Sequence, residues 1–212
     1  VLLQALKVDK DQLLNDKDPV ELDPNTTLHS PTWHPDGKHL AVVAEEAGRD
    51  RIVLYNTERR TREKELLLAP DLRQYRALQF SPDGEWLSFE GFLPGQGQNL
   101  MRLNVSTGEL EQLTVPDTHT TDRDVSYSHD GQSLFFNSTR TGFSDLYRYD
   151  FDSRQLSRLS QVYAGIRHPH PAADGYVYYT RHHAQGTSLR RVKIDTPTAD
   201  ALVKDSFSSS TQ

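Results

Sequence analysis

The chain has no cysteine, a single methionine and no long apolar run. The first absence excludes disulfides and thiolate metal sites, and it leaves the compartment open. Without roughly 18–20 consecutive apolar residues, this segment carries no membrane-spanning helix. Positive charge is also in short supply: 24 Lys and Arg stand against 30 Asp and Glu, a net charge of −6. No global basic footprint exists, which argues against nucleic acid or an anionic membrane as the main partner. Hydrophobic residues are only 35% of the 212, while the 25% charged fraction is ordinary. Such a composition suits thin core layers between several small sheets better than one thick core. The first residue is Val1 and the one methionine is Met101. The segment is therefore expected to be a mature product or a piece of a longer chain, with any signal or anchor lying ahead of it.

What is present is a repeat. Asp-Gly pairs at Asp36-Gly37, Asp83-Gly84, Asp130-Gly131 and Asp174-Gly175 lie 47, 47 and 44 residues apart. A second marker, an alternating run closing in Asn or Asp, ends at Asp9, Asn56, Asn104, Asp150 and Asp195, with spacings of 47, 48, 46 and 45. Two independent markers keep one period, the signature of a repeat architecture. Each unit reads as four short strands. In the second, they centre on Ala77–Phe80, Trp86–Phe89, Leu100–Leu103 and Leu110–Leu113. Pro82 presets φ at the first central position of a type I turn, Asp83 tolerates the second, and Gly84 supplies the left-handed residue that closes the hairpin. Alternation puts Leu87 and Phe89 on one face and Trp86 and Ser88 on the other. The run "LAVVA" from Leu40 is apolar on both faces, as a strand between two neighbouring sheets should be.

Four-stranded antiparallel units at this period predict a β-propeller. A lone sheet of this size buries too little to be stable, so each blade needs its neighbour. The expected architecture is all-β: a β-propeller of four-stranded antiparallel blades, about four and a half of them, in a partial or incompletely closed ring. Residues 1–27 form a half blade (its third and fourth strands). Blades follow at 28–74, 75–121, 122–164 and 165–205, and 206–212 is a tail. The fourth unit, "HPHPAADGYVYYTR", lacks Ser-Pro before Asp174 and reads as carrying an extra residue ahead of its turn.

The segments "PTWHPDGKHLAVV", "LQFSPDGEWLSF" and "VSYSHDGQSLFF" resemble the Ser-Pro-Asp-Gly propeller repeats of the TolB family. "LYRYDFDSRQLSRLS" and "ELEQLT" resemble the outer hairpin of the same repeat. The resemblance covers residues 28–195 and the half unit before them. It is specific for the fold and weak for the function. Such repeats occur in periplasmic TolB-like proteins and in sensory regions of membrane-anchored bacterial transcription regulators. They also occur in propellers of prolyl-oligopeptidase-like enzymes and in oligogalacturonate lyases. The resemblance thus implies a periplasmic or otherwise extracytoplasmic setting.

Few residues suggest chemistry. No Gly-x-Ser-x-Gly elbow exists, since "GFSDL" at Gly142 breaks the pattern, and no α/β alternation builds a hydrolase domain. No catalytic residue and no cofactor are assigned. His168 and His170 stand two apart, so on a regular strand both imidazoles face one way, as two ligands of one metal would. Their "HPHP" resembles a metal-binding segment of oligogalacturonate lyases, where a Gln stands three positions before the first His; here Gly165 does. A divalent metal is expected only under that lyase alternative. The bland reading is an inner strand that happens to carry two His. His182-His183 face opposite ways, and the acids of "TDRD" at 121–124 and "DFDS" at 150–153 could suggest calcium, against the common use of Asp in turns for backbone reasons.

The repeat itself gives one more pattern. Four residues before the end of each first strand stand His29, Arg76, Arg123 and Arg167. The first strand is innermost in a blade, so these positions would ring the central channel. A local basic collar on an acidic protein would attract carboxylates. The competing reading is that each Arg pairs with a nearby acid, such as Asp122 or Asp124 beside Arg123. The expected role is a non-catalytic module that binds a protein or acidic peptide, with self-association through open blade edges as a further expectation. The alternatives are a fragment of a lyase-like enzyme or the propeller gate of a peptidase.

Overall fold

The computed structural model describes residues 26–67, 72, 74–115, 118–163 and 165–195, together with the backbone of short strands towards both ends. Those short strands are β1 (Leu2–Leu3), β2 (Leu6–Asp9), β3 (Gln12–Asn15) and β4 (Val20–Glu21), with β1 pairing β4 and β2 pairing β3. The first full sheet is β5 (Thr26–Trp33), β6 (His39–Glu46), β7 (Arg49–Asn56) and β8 (Thr61–Leu67). The second is β9 (Tyr75–Phe80), β10 (Trp86–Phe92), β11 (Gln98–Asn104) and β12 (Leu110–Gln112). The third is β13 (Asp122–Tyr127), β14 (Ser133–Ser138), β15 (Asp145–Asp150) and β16 (Gln155–Arg158). The fourth is β17 (Ile166–Pro171), β18 (Tyr176–His183) and β19 (Gly186–Lys193). The last strand, β20 (Leu202–Val203), pairs with β16 on the outer edge of the third sheet. Every strand pairing within the sheets is antiparallel, β5–β8, β9–β12, β13–β16 and β17–β19 each run as a meander, and no helix occurs among the described residues.

The first strands of successive sheets touch in the order β5, β9, β13, β17, which makes them the inner strands of consecutive blades. Cores form between sheets. Ala41, Val43, Ile52 and Leu54 of the first blade pack on Tyr75, Phe80, Leu87, Phe89 and Leu103 of the second. Leu100 and Leu113 on the other face of the second blade meet Val125, Tyr127, Leu134 and Phe136 of the third. Phe135 and Leu146 then meet Ile166 and Val177 of the fourth. This is why hydrophobic content is low: each layer is one side chain thick per face. The predicted faces hold, since Leu87 and Phe89 face the first blade while Ser88 Oγ reaches Tyr127 Oη of the third at 2.6 Å. Among the described residues nothing covers the outer blade face of the fourth sheet, where Leu189 is 70% exposed, and the blades do not close into a ring.

The Asp-Gly turns are built as their chemistry requires. Gly37, Gly84, Gly131 and Gly175 all have φ between 69° and 81°. In the second blade the Gly84 N–H donates to Ser81 O at 2.9 Å, and Ser81 Oγ both donates to Asp83 and accepts the Trp86 N–H. Ser128, Asp130 and Ser133 repeat this in the third blade. The fourth turn corrects the sequence reading. Gly175 N–H donates to Ala172 O, so the turn ahead of the glycine has the standard length. The difference lies after it: Tyr176 follows Gly175 directly, whereas Glu85 separates Gly84 from Trp86. A residue is missing behind the turn, not added in front of it.

Candidate functional site at the inner strands

All four inner strands carry the same irregularity. Ser30, Ala77, Asp124 and His168 have φ of 52°, 49°, 54° and 53°. Each lies at a register shift in the pairing of its strand with the next. These are β-bulges, recurring at the spacing of the turns. None of the four residues is glycine, so each costs about 1–2 kcal/mol of local conformational energy. A feature kept at that cost in every blade is part of the design of the ring.

A bulge frees an amide from the ladder, and at Ala77, Asp124 and His168 that amide is caught by a side chain of the blade before it. The Ala77 N–H donates to Ser30 Oγ at 3.3 Å. The His168 N–H donates to Asp124 Oδ2 at 3.1 Å. Asp124 has no such partner in the second blade, because its counterpart there is Ala77. Its N–H donates instead to Glu90 Oε1 of β10, at 2.7 Å. Glu90 sits opposite Arg76 across the β9–β10 pair and hydrogen-bonds the Gln98 side chain through its other oxygen. Burial pushes the Glu90 carboxyl up to about 7, against the Asp124 amide and the Arg123 and Arg76 charges, with the Asp124 carboxylate adding to the rise.

The four collar residues, His29, Arg76, Arg123 and Arg167, each immediately precede a bulge. The structure therefore places them at equivalent points of four adjacent inner strands. Arg76 and Arg123 are exposed, and His29 and Arg167 are half-buried. The expected acid partners of Arg123 are engaged elsewhere. Asp122 is fully buried against Arg140 at 2.9 Å. Asp124 accepts the Asn137 side-chain amide at 2.6 Å and lies 3.8 Å from Arg167. Arg123 Nε donates to a neutral acceptor, Gln98 Oε1, at 3.2 Å. His29 Nδ1 lies 3.1 Å from Ser30 Oγ. The basic residues are thus interleaved with two carboxylates, Glu90 and Asp124. Sequence counting does not reveal Glu90, which belongs to a second strand.

His168 and His170 are both exposed, and His168 is itself the bulged residue. Regular alternation would put both imidazoles on one face, and the register shift between Arg167 and His170 interrupts that alternation. A different group gathers at the first Asp-Gly turn: His34, Asp36 and His39 each bring a ligand-type atom within 4.8 Å of the others. The first imidazole stands where Ser81 and Ser128 stand in the next blades.

Comparison with known proteins agrees with this architecture. The family model described as the TolB beta propeller domain matches residues 16–211. The crystal structure of TolB from Acinetobacter baumannii superposes with a TM-score of 0.72 at 26% identity, covering 93% of this chain and 47% of that one. An oligogalacturonate lyase in complex with manganese gives 0.65 at 16% identity, over 90% of this chain and 57% of the other, a likeness of fold alone. An uncharacterized protein of Agrobacterium fabrum is 29% identical over 96 residues, 45% of this chain and 32% of its own length. The chain thus spans about a third of that curated relative and about half of the Acinetobacter TolB chain. With blade order, turn chemistry and a match over almost the whole length in agreement, this chain belongs to the TolB β-propeller family.

Proposed function

We propose that this propeller is a non-catalytic binding module whose inner collar receives a carboxylate-rich segment of a protein or peptide partner. The observation that carries the reading is positional: His29, Arg76, Arg123 and Arg167 each stand one residue before a bulge on adjacent inner strands. A bulge re-aims the side chains beside it. It here brings the same kind of side chain to the same place in every described blade. Arg123 and Arg76 remain exposed to solvent, and the Arg123 acceptor is an amide that a carboxylate can displace with a bidentate pair. Glu90 and Asp124 keep the empty collar from being a bare cationic ring. Membership of the TolB family favours a scaffold or an extracytoplasmic sensory region of a membrane-anchored regulator as the setting.

The test is binding of a fluorescent deca-glutamate peptide at several salt concentrations. The wild-type chain should bind it with an affinity that falls as salt rises. Arg76→Ala with Arg123→Ala should weaken binding at least tenfold with the melting temperature retained. Unchanged binding in the double variant overturns the reading.

A further inference from the structure

The first blade departs from its neighbours at one turn. In the second and third blades, the residue two before the Asp is a serine, whose hydroxyl donates to that Asp. In the first blade it is His34, and the position five further on, Trp86 or Ser133 elsewhere, is His39. Asp36 lies between them. Its two oxygens divide the work. Oδ1 accepts the backbone N–H groups of Lys38 at 2.8 Å and His39 at 3.1 Å, which holds the turn. Oδ2 faces the two imidazoles, 3.1 Å from His34 Nδ1 and 2.6 Å from His39 Nδ1.

The far side of each ring is also held. His34 Nε2 lies 3.3 Å from Gly84 O, in the turn of the second blade. His39 Nε2 lies 2.9 Å from Glu63 Oε2 of β8. A backbone carbonyl and a carboxylate are the usual acceptors behind metal-bound imidazoles, since they fix the tautomer that leaves the inner nitrogen free to ligate. The His34 ring is further fixed edge-on against Phe80, 4.8 Å between centroids. A Cβ at position 84 would come within 2.4 Å of His34 Nε2, so this approach depends on Gly84 having no side chain.

We propose that His34 Nδ1, Asp36 Oδ2 and His39 Nδ1 form a three-ligand site for a divalent transition metal of the zinc type. Two imidazoles and one carboxylate suit zinc. The three side chains keep 21–34% of their surface exposed, which leaves the outward position to water or an external ligand. Bonds of roughly 2 Å in a tetrahedron put ligand atoms about 3.3 Å apart. His34 already stands near that distance from Asp36, and His39 must withdraw by roughly 0.7 Å. Binding also gives up the contact in which His34 Nδ1 accepts the Asp36 N–H at 3.2 Å. Because His34 leans on the second blade, the bound metal would staple the first two blades together at the turn end of the inner strand. The site is separate from the collar: His29 and His34 are five residues apart on the strand, roughly 15 Å.

The experiment is calorimetric titration of the untagged, chelator-treated chain with Zn²⁺, with Co²⁺ absorption as the second readout. One Zn²⁺ per chain should bind with a raised melting temperature, and Co²⁺ should give the intense visible bands of a tetrahedral site. His34→Ser installs the turn residue of the neighbouring blades, so the fold is retained, and Zn²⁺ affinity should fall at least tenfold. Glu63→Gln, which acts on the ring of His39 and supplies no ligand atom, should cost about tenfold by weakening the support of that ring. Absence of one-to-one binding, binding undiminished in His34→Ser, or binding abolished instead by His168→Ala with His170→Ala would each overturn the proposal.

Discussion

The three seams between consecutive described blades solve one problem in two ways. At the first and third seams the bulged residue itself supplies the acceptor for the next bulge, Ser30 for the Ala77 amide and Asp124 for the His168 amide. At the second seam the bulged residue is Ala77, which has nothing to offer. Glu90 reaches in from the neighbouring strand. The lesson is that the ring conserves the bond and not the residue. The cost differs too. Asp124 is half-buried and shared with Asn137 and Arg167, whereas Glu90 is almost fully buried and its carboxyl is pushed up to about 7.

Removing Asp124 should separate the seams most. Asp124→Ala strips the acceptor from the His168 amide and from the buried Asn137 side chain, and leaves Arg167 without its nearest acid. Two lost charge-assisted bonds predict about 2–4 kcal/mol of destabilisation by urea denaturation. Ser30→Ala removes the long neutral bond from the Ala77 amide and the contact with the half-buried His29 ring, and should cost no more than about 1 kcal/mol. Equal losses at the two seams would show that the acceptor identity does not matter.

At the second seam, Glu90→Ala orphans the Asp124 amide and should cost about 1–3 kcal/mol. Placing an acceptor where the other blades have one should repair it. Ala77→Asp is therefore expected to recover part of that loss in the Glu90→Ala background and to gain less in the wild type. The interaction energy of the double-mutant cycle is the measurement. The same carboxyl gives a pH signature. Its folded pKa lies above its unfolded one, so between about 4.5 and about 7 the native chain holds the extra proton. The contribution of Glu90 to stability is full below that window, falls as pH rises through it and is flat above. Glu90→Gln, which keeps an oxygen for the Asp124 amide, should remove this slope. The groups around it (Arg76, Arg123 and Asp124) make up the field that sets the window, so the slope should move when Arg123→Ala is introduced.

How much of this was readable in advance depends on where each constraint originates. Pro82-Asp83-Gly84 dictates its own backbone, so the turns and the blade period are legible from the residues alone. The collar positions follow, because a register fixed by turns can be counted back along each strand. The bulges are not legible. Ser30, Ala77, Asp124 and His168 share no residue type, and none is the glycine that positive φ normally announces. Their conformation comes from the inner strand's place in the ring, a tertiary cause. Glu90 was invisible for the same reason, since its role exists only once β10 lies beside β13. The fourth turn is not legible because Ala172-Ala173 stand where Ser-Pro marks the register in the second blade, so a residue missing behind Gly175 reads as one added in front of it.

The smallest expected effect tests whether the bulge at Ala77 is strained at all. Alanine in the left-handed region carries a steric penalty that glycine escapes, and the Ala77 side chain makes no bond to the next blade. Ala77→Gly relieves that penalty in the folded state but enlarges the freedom of the unfolded chain. The first effect, about 1–2 kcal/mol, should exceed the second, about 0.4–1 kcal/mol. A net gain of roughly 0.5 kcal/mol is expected, read as a rise in denaturation midpoint with unchanged slope. Asp124→Gly has the same backbone relief and should still lose stability, because it also removes the carboxylate that spans the third seam. A loss at both positions would mean that the bulge conformation is not under strain, and that the acceptors alone distinguish one seam from the next.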